Sequence, residues 1–119
     1  MNALLLVAHG SRREQSNEEV RLLAEKLKHR CRDQFPIIHA GFLELADPLI
    51  PAGLQKCIDD DASKITVLPY FLNTGRHVAE DIPEIVEAFK QNANVEINIA
   101  THLGASEMML DLLVDVAAK

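Results

Sequence analysis

The chain reads as an α/β protein: a four-stranded parallel sheet flanked by helices, ordered β-α-β-α-β-α-β-α, with flavodoxin-like layering. Three observations lead there. Four apolar runs alternate with four helix-like segments along 119 residues. The connections between them are short. The first run, "ALLLVAH" at 3–9, is continuously apolar, as expected for a strand covered on both faces.

The elements follow in order. "SNEEVRLLAEKLKHR" (16–30) spaces Val20, Leu23, Ala24 and Leu27 on one helical face. Ser16 or Asn17 is its expected cap, and Glu18 and Glu19 suit the first turn's dipole. "PIIHAGFLEL" (36–45) is the second strand. "PLIPAGLQKCIDD" (48–60) is a helix whose prolines are tolerated only near its start. "KITVLPYF" (64–71) is the clearest strand. "VAEDIPEIVEAFKQN" (78–92) is helical, with a restart or kink expected at Pro83. "VEINIAT" (95–101) alternates with period two, so its strand should expose one face. "ASEMMLDLLVDVAAK" (105–119) closes the chain as an amphipathic helix behind Gly104. Length and the lack of any linker or repeat give a single domain over 1–119.

Composition excludes several classes. A net charge of −6 leaves no diffuse basic footprint for nucleic acid or a membrane surface. One Tyr, four Phe and no Trp supply little for base stacking. The opening apolar run is too short to span a bilayer and has no basic segment before it. Cys31 and Cys57 stand in no metal-ligand spacing and read as helical thiols in a reducing compartment. The expected location is cytoplasmic.

Parallel sheets bind ligands beyond the carboxyl ends of their strands, here the loops at 8–16, 42–48, 70–78 and 100–105. These loops gather His9, Glu44, His77 and His102 with Arg12, Arg13 and Arg76. Taken alone, each has an ordinary explanation. His9 and His102 suit hydrogen-bonded structural roles, Glu44 a solvated carboxylate, and the arginines solvated charges. His29 fits a helix C-terminus, and His39 fits a packed strand position with one hydrogen bond. His77 is the odd one, because the positive end of a helix disfavours an imidazolium and favours the neutral ligand form. No HxxxH, HExxH or paired CxxC occurs. Any metal site must therefore be assembled from separate loops, sparsely coordinated and open, as suits a metal being delivered. Imidazole narrows the ion to the Fe, Co, Ni, Cu and Zn group.

Together "LLLVAHGSRR", "GFLELADPLIPAGL" and "VLPYFLNTGRHVAEDIP" resemble the short CbiX-type sirohydrochlorin chelatases, class II tetrapyrrole metal chelatases that also include SirB. The resemblance covers essentially the whole chain, and the three motifs are specific in combination. It implies a chelatase-like fold that is half of a two-domain long form. It implies insertion of Co2+ or Fe2+, with Ni2+ a further option, into sirohydrochlorin for cobalamin or siroheme. The metal is then a substrate, with no cofactor permanently bound. His9 matches the histidine that binds metal and takes pyrrole protons, and His77 matches the second metal-binding histidine. Glu44, Leu72, Asn73, Thr74, Gly75 and Arg76 match substrate-contacting positions. Arg12, with Arg13 and Arg76, is expected to meet substrate carboxylates, and Gly75 to bend its loop. A one-half chain is expected to close its cleft as a homodimer.

Two alternatives belong to other classes. Histidine phosphatases place Arg-His-Gly at this strand end, but Ala8 precedes His9 here. A non-enzymatic metal carrier or tetrapyrrole-binding module on the same scaffold would bind stoichiometrically without turnover.

Overall fold

The protein is described by a computed structural model covering residues 1–119. Its first apolar run forms β1 (Asn2–Ala8), in which every residue after Asn2 is buried. Next come α1 (Glu14–Arg30), β2 (Ile37–Phe42), α2 (Ile50–Asp59) and β3 (Lys64–Pro69). A π-helical turn at His77–Asp81 leads into α3 (Ile82–Lys90), and β4 (Glu96–Ile99) follows. A 3-10 turn at Leu103–Ala105 precedes α4 (Met108–Ala117).

The four strands make one parallel sheet in the order β2-β1-β3-β4. Residues alternating along β1 feed two cores. Ala3, Leu5 and Val7 meet Ile50, Leu54 and Cys57 of α2 and Ile82 and Val86 of α3. Leu4, Leu6 and Ala8 face the α1 side with Ala24, Ile38, Ala40 and Phe42. Full burial of one such aliphatic side chain contributes about 1.5–3 kcal/mol. Burial pushes the Cys57 thiol up to about 12, with Asp60 adding to the shift, so this cysteine stays protonated and inert. Both cysteines are free, as expected.

Pro69 fits an interior strand because of where β4 ends. Tyr70 N–H donates to Val7 O, so the position before it points toward β4, whose pairing stops at Val67–Ile99. Pro83 is accommodated differently. Ile82 N–H donates to His77 O, five residues back, and the chain passes through a π turn before α3 resumes.

Two expectations are corrected. Helix α1 starts at Glu14 with Arg13 as its N-cap, so neither Ser16 nor Asn17 caps it. The apolar positions of α4 gain little cover: none of its residues is buried, and Met108, Leu110, Leu113 and Val114 are more than half exposed. The molecule is accordingly elongated, at 47 × 32 × 28 Å. No helix is long and apolar enough to cross a membrane.

Candidate active site at the strand ends

The strand order reverses between β1 and β3, and the crevice beyond their carboxyl ends is where such sheets bind ligands. His9 leaves the end of β1, and His77 follows β3 across the loop 70–76. Their ring centroids lie 4.6 Å apart with planes inclined by 58°. Two imidazoles bound side by side to one ion place their centroids about 4.5 Å apart, given nitrogen–metal distances of about 2.1 Å. The pair therefore has the spacing for one shared ion.

Glu44 joins them because the β1–β2 ladder runs past the strand ends. Leu43 N–H donates to Ala8 O, and Glu44 N–H donates to His9 O at 3.0 Å. Its carboxylate then reaches His9 Nε2 at 3.2 Å. Gly10 makes this approach feasible: its φ is +94°, and a Cβ there would sit 1.7 Å from the Glu44 carbonyl oxygen. His9 Nδ1 lies 2.8 Å from Gly10 O, an acceptor only, so Nδ1 carries the hydrogen. Nε2 must then face Glu44 either as the N–H of an imidazolium or as a lone pair sharing a cation with the carboxylate. That arrangement suits a group that takes up a proton or an ion.

The first loop is held from behind. Asn17, buried within α1, accepts from Ser11 N–H at 2.9 Å and donates to Ser11 O at 2.8 Å. Arg21 of α1 donates to Asp47 O at 2.8 Å and lies over the Phe42 ring, steadying the segment after Glu44. Asn17 is not the cap its position suggests. Its side chain, one turn into the helix, points back at the loop instead.

His77 is oriented by Asp81, a residue outside the strand-end candidates. Its Nδ1 lies 2.7 Å from Asp81 Oδ2. The signal was present as a His-x-x-x-Asp spacing, which places both side chains on one helix face. The loop before it is open. Leu72, Asn73, Thr74, Gly75 and Arg76 are all exposed. Thr74 Oγ1 lies 3.3 Å from His102 Nε2, so His102 braces this loop and stands outside the His9–His77 pair. Gly104 N–H donates to Phe71 O, and a Cβ on Gly104 would sit 1.8 Å from Leu72 O. Gly75, expected to bend the loop, does not adopt a positive φ, and a Cβ there would meet nothing within 4 Å.

Arg12 and Arg13 are exposed beside the first loop. Arg76 is exposed too and pairs loosely with Glu80 at 3.5 Å. His39, as expected, makes one side-chain hydrogen bond, to Asp60 at the C-terminal end of α2, at 2.7 Å and away from the crevice. No three His, Cys, Asp or Glu side chains converge closely enough to hold a metal by themselves.

The chain is similar to known proteins over most of its length. The chain is 33% identical to a sirohydrochlorin cobaltochelatase of Methanocaldococcus jannaschii, covering 98% of each sequence. It is 34% identical to a sirohydrochlorin ferrochelatase of Priestia megaterium, covering 97% of this chain but 43% of that one. The sirohydrochlorin chelatase SirB from Bacillus subtilis subspecies spizizenii, solved in complex with cobalt, superposes with a TM-score of 0.84 at 30% identity. That match takes in 98% of this chain and half of SirB, so the chain aligns with nearly the whole of the archaeal relative and spans about half of the longer ones. A CbiX family model matches residues 3–119, and the chain belongs to the CbiX family.

Proposed function

We propose that this protein inserts a divalent metal, cobalt or iron with nickel a further substrate, into sirohydrochlorin, supplying cobalamin or siroheme synthesis. The observation that carries this reading is the His9–His77 pair, 4.6 Å apart at the reversal of strand order. The whole-length likeness to a cobaltochelatase supports it.

The residues divide the chemistry. Insertion replaces two pyrrole N–H protons with one ion. The imidazoles of His9 and His77 hold the incoming metal while leaving most of its coordination sphere to water and then to pyrrole nitrogen. Once the ion has passed to the macrocycle, Nε2 of His9 is free to take one of the two pyrrole protons, Glu44 at 3.2 Å stabilises the resulting imidazolium, and the second proton leaves to solvent water. The exposed loop Leu72–Arg76, together with Arg12, lies against the macrocycle, with the guanidiniums facing its carboxylates. On a chain of charge −6 these arginines supply positive charge on the loops at the strand ends.

A second copy of the chain covers α4. Its apolar side chains, with Tyr70, Phe71 and Leu72, line an open cavity of about 450 Å³. Burying such a surface is what drives a C2 dimer. The longer relatives carry a second stretch of comparable length on the same chain.

The test is a spectroscopic insertion assay with purified protein, sirohydrochlorin and each metal in turn. Multiple turnover is expected, and either His9→Ala or His77→Ala should lower it by at least 100-fold while leaving the circular dichroism unchanged. Stoichiometric metal binding without turnover would replace the enzyme with a carrier. Sedimentation should give twice the 13.2 kDa chain mass, and Leu113→Glu should halve it.

A further inference from the structure

We infer that Asp81 is a positioning residue for metal transfer: through Nδ1 it fixes the tautomer and tilt of His77, so that Nε2 meets the ion as a ready lone pair. The inference deepens the chelatase reading and rests on it for the nature of the ion. Its structural part rests on geometry alone.

Asp81 Oδ2 is 2.7 Å from His77 Nδ1. A carboxylate only accepts, so the hydrogen sits on Nδ1, and Nε2 is left with its lone pair. In water a free neutral imidazole prefers the opposite tautomer, with its hydrogen on Nε2 and that nitrogen unable to bind metal. Asp81 therefore selects the less common form. The pairing is a committed one. Both side chains are only partly exposed, at 41% for His77 and 33% for Asp81. Arg76, the cation next in the chain, turns to Glu80 instead.

The π turn belongs to the same device. Both residues lie within it, and its closing bond runs from Ile82 N–H to His77 O. Ile82 is fully buried against the sheet, so this bond ties the histidine's own carbonyl to the core. The backbone is anchored at one end of the residue and the ring is gripped at the other. His9 follows the same logic with different means, because Gly10 O occupies its Nδ1. Both histidines thus have Nδ1 occupied, and the nitrogen left to act is Nε2, which in His9 faces the Glu44 carboxylate at 3.2 Å. Carboxylate or carbonyl partners of ligating histidines typically account for a 10–100-fold effect on metal affinity or activity.

The experiment combines 15N NMR of the imidazoles in metal-free protein with insertion kinetics. In the wild type His77 should carry its hydrogen on Nδ1, and in Asp81→Asn the Nε2–H form should become populated. Asp81→Asn should also lower kcat for insertion about 10- to 100-fold, leave sirohydrochlorin affinity unchanged, and be partly rescued by Asp81→Glu. A wild-type His77 with its hydrogen on Nε2 would overturn the inference without any variant being made. So would Asp81→Asn at the wild-type kcat. If the wild type turned nothing over yet showed the Nδ1–H form, and Asp81→Asn lost it along with Co2+ affinity, the chelatase reading would fall and the positioning role would stand.

Discussion

The two histidines reach the crevice by unlike routes. His9 stands on a loop whose backbone is fixed at several points: the bond from Glu44 N–H to His9 O, the tight passage of Gly10 against Glu44, and the paired hydrogen bonds of Asn17 to Ser11. His77 follows five consecutive exposed residues and owes its orientation to a side-chain pair with Asp81. One imidazole is located by main chain, the other by a carboxylate on a helix behind an open loop. In the proposed reaction, where a large macrocycle enters and leaves, His9 as a rigidly held base and His77 as a more approachable ligand would divide the demands of positioning and access.

The sharpest way to break this contrast is at Gly10. Gly10→Ala forces a methyl group into the Glu44 carbonyl at a positive φ, a combination worth about 3 kcal/mol or more. Thermal unfolding should show a Tm lower by about 10 °C or more, and insertion should be lost with it. An unchanged Tm would mean the His9 loop is looser than its contacts imply. Asn17→Ala comes next. It leaves Ser11 N–H and C=O without their partner, for about 1–3 kcal/mol in urea unfolding. His102→Ala on the other loop should do least: the 3.3 Å contact to Thr74 is exposed, so stability should change by no more than about 0.5 kcal/mol. Its effect should appear as a several-fold rise in KM for sirohydrochlorin. A stability loss larger than that of Asn17→Ala would erase the distinction between the loops.

The alternation of strands and helices was legible because both cores draw on continuous apolar runs, and His9, Glu44 and His77 because strand ends are where such sheets bind. What was hidden had physical reasons. Asn17 looks like a helix cap in any sequence, and only the three-dimensional return of Ser11 to its side chain shows the other use. Asp81 sits among Glu80, Glu84 and Glu87, and nothing in composition separates it from solvated neighbours. Helix α4 reads as amphipathic, with Asp111 and Asp115 its only polar residues, but sequence does not say what covers its apolar side, and one chain leaves it without a buried residue. Glycine gave the least reliable signal: Gly10 and Gly104 are required by close contacts, while Gly75 is in open space.

The π turn at His77–Asp81 carries a consequence for how this segment can change over time. Such a turn is an α-helix holding one surplus residue. Losing a residue at Val78 or Ala79 would let the helix close into regular hydrogen bonding, with little harm to the core beneath. Yet it would swing His77 by about 100° around the axis, away from its partner histidine. Length here is bound to chemistry as firmly as the identities of His77 and Asp81 are, so a single codon deletion is costly even where the exposed Ala79 and Glu80 can be substituted.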